Sequence, residues 1–167
     1  MAHVMKAQTI EIKVEVFPDR DALPEVENKL LNMAAETALL AYAPYSRFHV
    51  GAAVLLENGE IVTGNNQENG AYPSGLCAER VALFAAKAKF PTLSILALAI
   101  FANGKDMPVS QPVSPCGSCR QVMSEYEMNQ SDPYPVIFQG GEGEVYRTES
   151  AAALLPLQFR GHFLKKD

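Results

Sequence analysis

Two stretches, "PSGLCAERVALF" (73–84) and "PVSPCGSCRQVM" (112–123), hold every cysteine of the chain: Cys77, Cys116 and Cys119. Cys116 and Cys119 form a C-x-x-C pair, a spacing that puts both side chains on one side of a helix's first turn. Cys77 opens the other segment, with Glu79 two residues on and Arg80 beside it. A helix N-terminus carries partial positive charge and unpaired N–H groups. It therefore favours the thiolate, the form of cysteine that binds metal. Two helix starts pointing at one spot would present three thiolates to a soft cation of tetrahedral preference such as Zn²⁺.

Three ligands leave such an ion one short. A structural zinc site closes with four protein ligands, and none of the three histidines is well placed to be the fourth. His3 and His162 lie near the ends of the sequence, and His49 lies in a strand-like run. An open position holds water instead, whose pKa falls from about 15.7 toward about 7 on zinc, making hydroxide available at neutral pH. That water needs a proton carrier, and Glu79 is the candidate. Alone, Glu79 would read as a first-turn glutamate favoured by the helix dipole. Arg80 can hydrogen-bond the thiolates and limit their electron donation, which keeps the metal electron-poor; alone it would read as a surface arginine. The C-x-x-C pair by itself is also compatible with a redox couple or with two buried cysteines.

The elements that must position these residues follow from periodicity. "TIEIKVEVF" (9–17) alternates Ile10, Ile12, Val14 and Val16 with polar residues, a half-buried strand. Apolar residues recur at helical spacing from Ala22 to Ala43, ended by Pro44. "FHVGAAVLLENGEIVTG" reads as a hairpin around Asn58-Gly59. A polar, Gly/Pro-rich loop then feeds a helix starting at Cys77. The apolar run 93–102 is a buried strand, and a helix follows from 117 to 128. "PVIFQ" and "EVYRT" flank "GGEG" as a second hairpin, with a short helix in "ESAAALLP". This order predicts an α/β fold, one mixed sheet covered by helices.

Composition sets the outer bounds. The 167 residues are 48% hydrophobic and 20% charged, values of a globular chain of one domain, 1–167. A formal charge of −5 and the lack of a Lys/Arg cluster beyond Lys165 and Lys166 argue against a nucleic-acid partner. No apolar segment reaches the ~18 residues of a membrane span. An odd cysteine count without a leader-like segment predicts a reducing compartment, the cytoplasm.

"CAER" (77–80) and "PCGSCRQ" (115–121) together resemble the zinc-dependent cytidine deaminases of the nucleoside type. The likeness extends to "YAPYSRFHVGAAVL" (42–55), "GNNQENGAY" (64–72) and "LLPLQF" (154–159), and covers residues 25–160. It implies a three-layer α/β/α sandwich with about five strands, residues 1–20 being an N-terminal extension. One Zn²⁺ per chain would sit on Cys77, Cys116 and Cys119, with Glu79 as proton shuttle and Arg80 behind the ligands. Phe48 resembles the aromatic that packs on the pyrimidine, and Asn66 and Glu68 the pair that binds the ribose 3′-hydroxyl. Ala78 falls among the substrate-contacting positions. Tyr72 and Phe159 resemble aromatics contributed at or near a neighbouring subunit's pocket, in a homotetramer. In the tail, Leu157 stands where many members carry glycine. The implied reaction is hydrolytic deamination of cytidine and deoxycytidine to uridine and deoxyuridine with release of ammonia, in pyrimidine salvage. The rival readings are a deaminase of another aminopyrimidine nucleoside, a polynucleotide deaminase, and a non-catalytic zinc-binding module.

Overall fold

A computed structural model describes residues 5–106 and 108–164; His3, Lys165 and Lys166 lie outside the described residues. Its strands are β1 (Glu15–Phe17), β2 (Phe48–Leu56), β3 (Ile61–Asn65), β4 (Ile95–Gly104), β5 (Val136–Gln139) and β6 (Val145–Thr148). The helices are α1 (Glu25–Ala38), α2 (Ala78–Lys89) and α3 (Gly117–Met128). The strands form one sheet in the order β1-β6-β5-β4-β2-β3. Only β4 and β5 pair in parallel; the other neighbours are antiparallel.

Strand alternation sorts the apolar residues onto two faces. On one face, Leu30, Leu31, Ala34 and Ala38 of α1 pack over Ala53, Ala97, Ala99, Phe101 and Ile137. On the other, Ala82, Leu83 and Ala86 of α2 and Met123 of α3 pack over Ala52, Val54, Leu98, Ile100 and Phe138. β4 is covered on both sides, which is why its sequence reads as an unbroken apolar run. These layers are the expected α/β/α sandwich. The sheet has six strands where about five were expected, the sixth being the edge strand β1. Close approach of the helices is built in: a Cβ at Gly64 would collide with the Ala82 backbone, and one at Gly51 with Ala34 of α1.

The β2–β3 hairpin turns at Asn58-Gly59 as the dipeptide predicts, with Gly59 in the left-handed region at φ +84°. Three elements differ from expectation. The strand expected over 9–17 is regular only from Glu15, where it pairs with Val145, Tyr146 and Arg147 of β6. Residues 5–14 form no regular element, and Ile10, Ile12 and Val14 are exposed. The helix expected to Ala43 stops at Ala38. Leu39, Leu40 and Ala41 tighten into i→i+3 bonds, and Tyr42 is then drawn into a bridge with Gln67. The short helix expected in 149–156 is a single 3₁₀ turn, Ala152–Leu154.

That turn is tied to the end of α3 by one buried carboxylate. Glu127 accepts from the backbone N–H groups of Tyr134 (3.1 Å), Ala151 (2.7 Å) and Ala152 (3.0 Å), and from the Ser150 hydroxyl. The Tyr134 hydroxyl, also buried, donates to the Met123 carbonyl at 2.9 Å. The C-terminal half of α3 is thereby fixed against the sheet, and its N-terminus with it.

Candidate active site

α2 and α3 present their N-termini side by side, with Cys77 and Cys116 as the residues at the two caps, both in extended conformation. Cys119 lies in the first turn of α3 and is buried. Cys77 Sγ stands 3.8 Å from Cys116 Sγ, and Cys116 Sγ 3.5 Å from Cys119 Sγ. All three sulfurs fall within 4.8 Å of one another, and no further His, Cys, Asp or Glu joins them among the described residues. Sulfurs bound to zinc at about 2.3 Å with tetrahedral angles stand about 3.8 Å apart. The separations from Cys116 to the other two sulfurs are already close to that spacing, and Zn²⁺ is the ion this donor set fits. His49 is occupied elsewhere, its Nδ1 lying 3.1 Å from the Arg47 carbonyl.

Electrostatics favours ionisation at Cys77 and disfavours it at Cys119. A hydrogen bond from Cys119, assisted by Arg80, holds the Cys77 thiol down to about 5. Cys119, which shares a proton with Cys77 and is desolvated, is pushed well above the thiol range. Arg80 Nη2 lies 3.8 Å from Cys77 Sγ, one turn along the same helix. Glu79 is 4% exposed, and burial raises its carboxyl pKa above the usual range.

A cleft of about 810 Å³ opens over these groups. Its lining brings together Cys77, Cys116, Glu79 and Arg80 with Phe48, Asn66, Glu68 and Tyr72. β2 and β4 supply the floor. Phe48 and Val50 alternate onto the face of Ala52 and Val54, and Ala102 onto that of Ile100, at the sheet end beyond the helices. Asn66 lies along the β2 edge: its N–H donates to the Val50 carbonyl (3.1 Å), its Oδ1 accepts from Val50 N (2.8 Å) and its Nδ2 donates to Phe48 O (2.9 Å). Glu68 Oε2 accepts from Tyr45 N (2.8 Å) and Ser46 N (3.3 Å). Hydrogen bonds from Ser46 and Tyr45 hold its carboxyl below the usual range.

Two of the expected residues stand apart. Phe159 lies outside the cleft and is 59% exposed, and its carbonyl accepts from Gln121 Nε2 at 2.9 Å. The Ala78 side chain packs in the core under α2, so what it can offer a ligand is its main-chain N–H at the first helical position, where such groups lack intrahelical partners. Sequence reading missed the backbone of Tyr45 and Ser46, which seats Glu68. It also missed Arg120, whose guanidinium reaches back to Pro115 and Ser114. Only the proximity of Arg120 to the C-x-x-C pair could have flagged it.

Residues 24–131 match the model of the family described as cytidine and deoxycytidylate deaminase zinc-binding region. A cytidine deaminase of Sporosarcina psychrophila is 42% identical over 139 residues, 83% of this chain and 92% of that protein. One of Halalkalibacterium halodurans is 40% identical, over 78% of this chain and 91% of that protein. The crystal structure of cytidine deaminase from Burkholderia pseudomallei superposes with a TM-score of 0.69 at 38% identity, covering 78% of this chain and 97% of that one. The matched region takes in all three thiols, Glu79 and both helices that carry them. The chain belongs to the cytidine and deoxycytidylate deaminase zinc-binding family.

Proposed function

We propose that this chain hydrolyses the exocyclic amine of cytidine and deoxycytidine, giving uridine or deoxyuridine and ammonia. The observation that carries the reading is the buried carboxyl of Glu79 in the same cleft wall as the Cys77 and Cys116 thiols, beneath a space that suits a small ligand. Cys77, Cys116 and Cys119 would hold the zinc ion, which would supply Lewis-acid activation of a water molecule.

Glu79 takes a proton from the attacking water and delivers it to N3 as C4 becomes tetrahedral. It then passes the second proton to the departing amino group. One proton of the water ends on N3 of the uracil and the other on ammonia, and the oxygen stays on C4. A carboxyl that must both take and give a proton works best with a pKa near the operating pH, and burial moves Glu79 in that direction. Phe48 forms an apolar surface for the pyrimidine. Asn66 and Glu68 hold the ribose 3′-hydroxyl, and Glu68 Oε1 makes no hydrogen bond to protein among the described residues. Ala78 contributes its main-chain group beside the ring.

A free nucleoside suits the cleft better than a polynucleotide. Among the described lining residues Arg80 is the only cation, and it faces Cys77 rather than an open backbone track. Tyr72 and Phe159 are 78% and 59% exposed in the isolated chain. Their exposure supports a homotetramer in which such aromatics reach a neighbouring subunit's pocket. The biological setting that fits is pyrimidine salvage in the cytoplasm, by a single domain with residues 1–20 as an appended segment. No helix among the described residues is long and apolar enough to cross a membrane.

Purified protein of known zinc content, given cytidine, should release ammonia and uridine in equal amounts. Glu79→Gln should keep its zinc and lose about 10²–10⁴-fold in kcat. Near-normal turnover in a zinc-replete Glu79→Gln protein would remove Glu79 from the mechanism.

A further inference from the structure

Cys77 and Cys116 hold equivalent places at their helices, but the chain reaches them differently. The residue before Cys77 is fixed by the backbone. Leu76 exchanges two hydrogen bonds with Gln67, each 2.9 Å. The residue before Cys116 is Pro115, which has no N–H to give. It lies one residue before the end of a stretch, 105–116, in which no described residue is helix or strand. Cys116 makes no side-chain cap bond either, and its side chain is exposed. An exposed thiol at the end of an irregular loop needs something else to hold it.

Arg120 is so placed. Its backbone N–H donates to the Cys116 carbonyl at 3.0 Å, and its Nε to the Pro115 carbonyl at 2.7 Å, so the carbonyls on both sides of the Cys116 Cα are bound by one residue. Nη2 donates to Ser114 Oγ at 2.9 Å. Nη1 donates to the Leu154 carbonyl at 3.1 Å, at the end of the 3₁₀ turn that Glu127 fixes. All three guanidinium nitrogens are used in one plane, a geometry that lysine cannot reproduce. Arg120 does not line the cleft.

We infer that Arg120 is a positioning residue that braces Cys116 for metal binding, substituting for the backbone pairing that Pro115 forbids. The inference rests on Cys116 being a ligand. Residues that orient metal ligands typically contribute 10–100-fold to metal retention.

The test is the rate at which zinc-loaded protein releases its metal to an excess of chromogenic chelator, read beside thermal unfolding of the metal-free protein. Arg120→Gln should release zinc about 10–100-fold faster than the wild type. Arg120→Lys, which keeps the charge but not the fork, should rescue this only in part. Ser114→Ala, which removes one contact, should speed release on the order of fivefold. Wild-type release rates in Arg120→Gln, with or without a lowered melting temperature, would overturn the inference and leave Arg120 a purely structural residue. Full rescue by Arg120→Lys would overturn it too, since charge alone would then suffice. Should the Arg120 variants fail to fold, Ser114→Ala decides, and a wild-type rate in it overturns the bracing role. Cys116→Ser separates the two levels: unchanged release there would remove Cys116 from the ligand set, and the inference with it.

Discussion

Arg80 Nη2 stands 3.8 Å from Cys77 Sγ, while Nε of the same guanidinium is buried without a hydrogen-bond partner among the described residues. Burying a donor unpaired costs about 1–3 kcal/mol, so this side chain is not placed for fold stability alone. Three thiolates around a divalent ion carry one net negative charge, and a cation against one of them draws electron density away from the metal. Arg80→Gln is therefore expected to bind zinc in full and to lose about 10–100-fold in kcat. Metal analysis beside turnover checks this. Loss of zinc in step with loss of activity would mean that Arg80 holds the cluster together instead of tuning it.

Asn66 and Glu68 are two residues apart and use their side chains differently, so their variants should separate. Asn66 uses Oδ1 and one Nδ2 hydrogen on the β2 backbone, leaving the second Nδ2 hydrogen for the ribose, and Glu68 uses Oε2 on Tyr45 and Ser46. Asn66→Ala leaves Val50 N and Phe48 O without these partners and should cost about 1–3 kcal/mol of stability. Glu68→Gln should leave the melting temperature almost unchanged and raise KM for cytidine about tenfold or more, the value of one charged hydrogen bond. Because hydrogen bonds to its carboxylate lower the Glu68 pKa, the group protonates at a lower pH than an ordinary exposed carboxylate. The rise in KM on acidification should therefore set in later than an unperturbed glutamate would give. An earlier rise would remove Glu68 from the ribose contact.

The C-x-x-C pair and one mixed sheet covered by helices were legible in the sequence because they depend on local spacing, whereas the three-layer order was implied by the resemblance. C-x-x-C fixes two sulfurs on one helical turn, and periods of two and of 3.6 residues separate strands from helices without knowledge of partners. What was not legible depends on pairing at a distance. The edge strand is limited to the three residues that pair with β6, Glu15–Phe17, and α1 ends at Ala38 before Tyr42 bridges to Gln67. Arg120 looked like any charged helix residue until the fold brought Leu154 to it. Phe159 could be assigned to a pocket only through resemblance, since in the single chain it does not line the cleft.

Glu127 carries four acceptor bonds on a buried carboxylate, joining α3, the segment before β5 and the turn after β6. An amide at this position would keep one acceptor oxygen and turn an NH₂ toward N–H donors. Glu127→Gln should thus cost about 2–3 kcal/mol, the value of a charged hydrogen bond with its partner left unsatisfied. The urea midpoint should fall with the slope unchanged. A midpoint equal to the wild type's would mean that the turn at 150–154 holds without this anchor.

Leu157 is the opposite case, a residue whose removal should help. It sits in the left-handed region at φ +61° and is 91% exposed, so it makes little packing to offset its strain. A branched side chain in that region costs about 1–2 kcal/mol, and glycine would avoid it. Against this stands the greater freedom glycine has in the unfolded chain, about 0.4–1 kcal/mol. The difference favours Leu157→Gly by about 0.5–1 kcal/mol, a rise of a few degrees in melting temperature for a domain of this size. Leu157→Ala keeps a Cβ in the same strained backbone and should show no such gain. If the alanine variant melts as high as the glycine variant, the benefit comes from removing exposed apolar surface and not from relieving the backbone.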